Sequence, residues 1–164
     1  MTHWVLTLDE GEQRVARGLG KLRAEANRTA GVVDQKRSAS SGVEIDIDGI
    51  GAELAFAKLM NVYPDLGISP RQGSADAELA GVRIDVKTTR HPHGRLFAMP
   101  HKTGIDLWVL VVGVFPTYEI KGVYDTKRLF VAERLRNLGR GDNYVVEQSD
   151  LEPLTADDIS WGFA

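Results

Sequence analysis

The stretch Gly73-Ser74-Ala75-Asp76-Ala77-Glu78-Leu79-Ala80-Gly81-Val82-Arg83-Ile84-Asp85-Val86-Lys87-Thr88-Thr89 decides how the rest of the chain reads. Two short strand-like runs flank a turn at Ala80-Gly81. Side chains alternate along a strand, so Arg83, Asp85 and Lys87 share one face and Ile84 and Val86 the other. Asp76 heads the first run. Charges on one face of an otherwise apolar strand call for partners, because an isolated charge taken out of water is costly.

Upstream, Gly49 to Asn61 is apolar on nearly every side and reads as a buried helix with Asp48 as its cap. Glu53 falls in its middle. Such a carboxylate either pairs with a lysine or arginine, lies at the helix's one wet edge, or binds a metal. Tyr63-Pro64 ends the helix and a loop follows to Gly73. Further upstream, residues 11–27 read as an amphipathic helix, with Val15, Leu19, Leu22 and Ala26 on one face and a stripe of Arg14, Arg17, Lys21 and Arg28 on another. Gly18 and Gly20 weaken that helix. Residues 28–48 look irregular, with a mobile loop at Ser38–Gly42. Asp46-Ile47-Asp48-Gly49 lacks the further ligands of a calcium loop.

Downstream, Leu107 to Phe115 is a continuous apolar run rich in β-branched residues, which predicts a central strand buried on both faces. Tyr118 to Tyr124 reads as the next strand. Asp125 is then expected to cap a helix over Thr126–Leu138, closed by Gly139, with Leu129, Ala132, Leu135 and Leu138 facing the core. Asn143 to Gln148 reads as the last strand and Leu151 to Ala164 as a short acidic tail.

The 164 residues suit a single domain, and the composition is that of a globular protein. With no cysteine, disulfides and thiolate zinc sites are excluded. A net charge of −3 argues against a protein that coats nucleic acid by charge alone, although basic residues crowd positions 14–37 and acidic ones the stretch from Asp142 onward. The N-terminus lacks a signal-peptide pattern and the longest apolar run is too short to span a bilayer, so a cytoplasmic protein with no membrane partner is expected. No Gly-rich phosphate loop, nucleophilic serine motif or dinucleotide fingerprint is present.

The order of these elements, with Asp76 followed by the tripeptide Asp85-Val86-Lys87, resembles the PD-(D/E)XK nuclease superfamily. The resemblance covers about residues 49–148, with 1–48 as an added basic helix and loop and 149–164 as an acidic tail. Ala75 stands where the pattern has proline, and Asp85 where many members have glutamate. Gly51-Ala52-Glu53 is similar to the short G-x-E signature on the first core helix of the superfamily's junction resolvases. The resemblance implies an α/β fold with a restriction-endonuclease-like core, in which a central mixed sheet of about four to five strands is flanked by helices. It also implies a metal-dependent DNA endonuclease, of a phage, a mobile element or a junction-resolving kind, acting on duplex or branched DNA and often as a homodimer.

Carried over, Glu53, Asp76, Asp85 and Lys87 are the catalytic candidates, and Asp76, Asp85, Glu53 and the backbone carbonyl of Val86 the candidate ligands of magnesium (Mg2+), with manganese able to substitute. Hard oxygen ligands are what magnesium takes, and such an ion can activate water and offset charge on a phosphate. Two carboxylates about 4 Å apart repel by roughly 4 kcal/mol at an effective dielectric of about 20, so three acids brought together call for a cation. On that ground Asp85→Ala is expected to abolish cutting and to raise the stability of the metal-free chain. Arg14, Arg17, Lys21, Arg28, Arg90, His93 and Lys102 are the candidate DNA contacts. One hydroxyl of Thr88 or Thr89 is a candidate for the scissile phosphate, and His91, His93 and His101 show no fourth ligand for zinc. Two other readings stand beside this one. The chain could be an inactive relative that binds nucleic acid or protein, or an unrelated structural or regulatory phage protein in which Asp85 and Lys87 form a surface ion pair on an edge strand.

Overall fold

The computed structural model describes residues 4–31, 42–69, 75–139 and 141–161. The motif stretch forms the hairpin its turn demands. Strands β2 (Ala77–Leu79) and β3 (Val82–Thr89) pair antiparallel across Ala80 and Gly81, both at positive φ (50° and 81°). Two consecutive left-handed residues match the right-handed twist of the strands they join. β3 then pairs in parallel with the central strand, Leu107–Val114, which is followed by a long antiparallel partner, Thr117–Asp125. That partner's other edge takes β1 (Trp4–Thr7). With a short strand β4 at Leu96–Ala98, the central strand is β5 and its partner β6, and the mixed sheet runs β1-β6-β5-β3-β2. The protein is thus an α/β protein built on a five-stranded mixed sheet.

Alternation along β5 separates two cores. Val109 and Val111 join Ile84, Val86, Tyr118 and Ile120 on one face, beneath helices α1 (Glu10–Thr29) and α2 (Gly42–Met60). Trp108 and Leu110 join Leu96, Leu129 and Val146 on the other. A register shift opposite Leu110/Val111 changes the parity of β6, so Tyr118, Ile120 and Val123 all reach the helix-side core. The second face is covered not by a long helix but by a small sheet, β4-β8-β7, made with β7 (Leu135–Asn137) and β8 (Asp142–Val146), together with the four-residue helix α3 (Thr126–Leu129). The expectation of helices on both flanks therefore holds on one side only.

Several boundaries differ from the sequence reading, each for a tertiary reason. The helix expected over Thr126–Leu138 stops at Leu129, because Phe130 turns inward to pack edge-on against Trp108 and Tyr144. Leu135 and Leu138 are consequently exposed, and Leu135–Asn137 pairs with β8. The last strand lies in the small sheet rather than the central one. The second helix starts at Gly42, seven residues before Gly49 and with Asp48 inside it, so Asp48 is a buried acid and not a cap. Apart from Gly42, the expected loop at Ser38–Gly42 lies outside the described residues. In α1, which opens on a capping box between Asp9 and Glu12, the buried stripe is Ala16, Gly20 and Ala24, whereas Val15 and Leu22 face solvent. Small residues win this face because α2 crosses closely: a Cβ on Gly20 would lie 2.6 Å from the Ile47 side chain. At the far end, Glu152 bridges to Val123, Leu151 and Leu154 enter the two cores, and Ala156–Trp161 forms α4.

Helix α2 and the sheet approach closely at Gly51. A Cβ there would sit 2.0 Å from the hydroxyl of Tyr118, which is buried and has no hydrogen-bond partner among the described residues. Gly51→Ala is expected to destabilise the fold by about 1–3 kcal/mol through overpacking, read as a drop in urea midpoint. In a Tyr118→Phe background part of that loss should return; an equal loss in both backgrounds would remove the hydroxyl as its cause.

Candidate functional site

Asp85 lies in the middle of β3, fully buried, on the Trp108 side of the sheet. Its Oδ2 stands 2.6 Å from the ammonium of Lys87, as the shared face requires. That contact is an ion pair without hydrogen-bond alignment, so Oδ2 remains a buried acceptor with no hydrogen bond. Lys102, from the segment between β4 and β5, donates to the other oxygen, Oδ1. Lys87 also lies over the Trp108 ring, 5.4 Å from its centroid. Asp85 is thus caged between two lysines rather than paired on an open edge.

Asp76 precedes β2 and locks the end of the hairpin. Its N–H donates to the Ile84 carbonyl at 2.8 Å, and its Oδ2 accepts the Val86 N–H at 2.7 Å. Burial pushes the Asp76 carboxyl up to about 6, and the charge of Asp85 adds to the shift; the Val86 N–H, Lys102 and Lys87 pull the other way. Glu53, on α2, is pushed up to about 8, first by burial and then by the charge of Asp76. Arg23 of α1 offsets this only in part, with a guanidinium nitrogen 2.9 Å from Glu53 Oε2. The same guanidinium donates to the carbonyls of Asp65 and Gly67, fastening the loop after α2. Beside Asp76 lies a shallow cleft, wide open to solvent, of about 240 Å3, lined among others by Tyr63, Pro64, Asp65, Glu78 and Arg83.

Glu53, Asp76, Asp85 and Lys87 therefore form one electrostatically linked chain from α2 to β3. The donor chemistry of the acids suits a hard cation, and Asp85 Oδ2 offers a buried lone pair that no hydrogen bond uses. Each acid is nevertheless already engaged, and among the described residues no three His, Asp or Glu side chains are gathered in metal-holding geometry. Val86, expected to lend its carbonyl, contributes its N–H to Asp76. Thr88 Oγ1 is buried without a hydrogen-bond partner among the described residues.

The expected DNA contacts divide. Arg14, Arg17, Lys21 and Arg28 line the exposed side of α1, where Arg17 stacks on Phe115 at 4.9 Å, and His93 is exposed. Lys102 turns inward to Asp85 instead, and Arg90, still exposed, pairs with the buried Asp48. Lys102 as a partner of Asp85 and Arg23 as the tether of Glu53 are the residues sequence reasoning missed. Neither carries a local signal, since their partners lie 17 and 30 residues away. No protein-family model, curated protein or solved structure matches this chain. No helix among the described residues is long and apolar enough to cross a membrane.

Proposed function

We propose that the protein is a metal-dependent nuclease of the PD-(D/E)XK type with a restriction-endonuclease-like core, hydrolysing phosphodiester bonds in DNA. The observation that carries the reading is the linkage of Asp76, Asp85 and Lys87 across one hairpin with Glu53 presented from the preceding helix. Asp76 and Asp85 are the residues to hold the ion, with Glu53 reaching it from the helix side. When bound, magnesium or manganese supplies an activated water and positive charge for the phosphate oxygens. Lys87 orients the attacking water and places its ammonium against the phosphate. The hairpin fixes Asp76 relative to β3 through the Val86 N–H, and ion binding requires Asp85 to exchange its lysine contacts for the metal. The exposed cations of α1 give a backbone-binding surface. Where both strands of a duplex are cut, two copies of the chain are called for.

The test is cleavage of supercoiled plasmid, a four-way junction and single-stranded DNA with magnesium or manganese, with EDTA, and with Asp76→Asn and Lys87→Met proteins alongside. Metal-dependent cutting that falls roughly 100- to 1,000-fold in each variant is expected. Full activity in both variants, or no cutting with either metal, rejects the assignment. The cage on Asp85 favours one other reading, a relative that binds DNA without cutting it. Retained DNA binding without cleavage is its signature.

A further inference from the structure

Tyr63 is 84 % exposed, the highest fraction among the large hydrophobic side chains of the described residues, and it stands at the cleft that leads to Asp76. A tyrosine left in water beside a candidate catalytic acid contributes nothing to either core. The loop that carries it is fixed on its far side: Arg23 holds the carbonyls of Asp65 and Gly67, and Asp65 Oδ1 accepts the Gly67 N–H at 2.8 Å. The ring is therefore offered from an anchored loop, which lowers the ordering cost of binding. The cleft's polar lining is mostly acidic, with Asp65, Asp76 and Glu78 against Arg83. Acids repel phosphate but accept hydrogen bonds from the exocyclic amino groups of bases. Aromatic platforms take any base through its π-face.

We propose that this cleft holds one unstacked nucleobase next to the scissile phosphate, with Tyr63 as its stacking platform. The proposal rests on the nuclease reading above and gives it a substrate class: single-stranded DNA, or the frayed and unpaired nucleotides of branched or gapped DNA, in preference to a continuous duplex. Tyr63 is a positioning residue; it does not touch the reacting bond.

The experiment uses the full chain and a short single-stranded oligonucleotide carrying 2-aminopurine, whose fluorescence is quenched by stacking. Binding is followed by anisotropy in EDTA and cleavage by gel in magnesium or manganese. Wild type and Tyr63→Phe should quench the probe and bind alike. Tyr63→Ala should lose the quench and bind roughly 5- to 150-fold more weakly, with its affinity for blunt duplex unchanged. A Tyr63→Ala protein that quenches and binds single strands like wild type overturns the subsite, whatever its cleavage shows. Stacking that depends on Tyr63 in a protein that cuts no DNA would keep the subsite and discard the nuclease. Circular dichroism of Tyr63→Ala guards against misfolding, which an exposed side chain should not cause.

Discussion

Asp85→Ala is expected to lower the melting temperature by about 6–12 °C, the opposite sign to that expected from acid–acid repulsion alone. The buried carboxylate is the partner of two ammonium groups, and removing one side of a buried ion pair strands the other. Such truncations cost about 3–5 kcal/mol; because the side chains of Lys87 and Lys102 retain 28 % and 13 % exposure, the lower end applies. For a chain of this size about 3 kcal/mol corresponds to the stated shift. Replacing all three side chains together, Asp85→Leu with Lys87→Met and Lys102→Met, should recover much of the loss, since no charge is then left without a partner. A melting temperature of Asp85→Ala at or above wild type would show that repulsion from Asp76 outweighs the lysine cage.

The second large effect is on stability against pH. Folding raises Glu53 from 4.5 to about 8 and Asp76 from 3.8 to about 6. The folded chain thus binds these protons more tightly than the unfolded chain. Below the unfolded values both states are protonated and there is no penalty. As pH rises, the unfolded carboxyls ionise freely while the folded ones resist, so stability falls, through about pH 6 for Asp76 and about pH 8 for Glu53, and levels off above. Urea unfolding between pH 5 and about 8.5 should show this decline, with Glu53→Gln flattening its upper part and Asp76→Asn its lower part. Stability that climbs over this range, with a slope indifferent to Glu53→Gln, would mean that Arg23 keeps Glu53 ionised.

What could be read without coordinates was what short-range rules govern. The hairpin was legible because Ala80-Gly81 stands between alternating runs, and β5 because its apolar run is long and β-branched. Glu53 with an arginine partner was one of the outcomes its burial allowed. Features set by distant partners were not legible. β1 is four residues, too short to carry a period, and its partner β6 lies more than a hundred residues on. Val43 to Asp48 alternates like a strand or loop, yet it is helical because α1 gives it a small-residue groove to lie in. In the site, the face shared by Asp85 and Lys87 followed from strand geometry, but the depth of Asp85 and the arrival of Lys102 depended on how the segment between β4 and β5 folds over the sheet.

Arg23 has a consequence for how the molecule can be divided. One guanidinium reaches Glu53 on α2 and two carbonyls of the loop that presents Tyr63, while its own backbone belongs to α1. Helix α1 is therefore not a detachable basic arm beside a self-sufficient core. It holds the keystone that sets the spacing between the acid on the helix and the aromatic on the loop. A shift of α1 would therefore disturb both of these contacts at once.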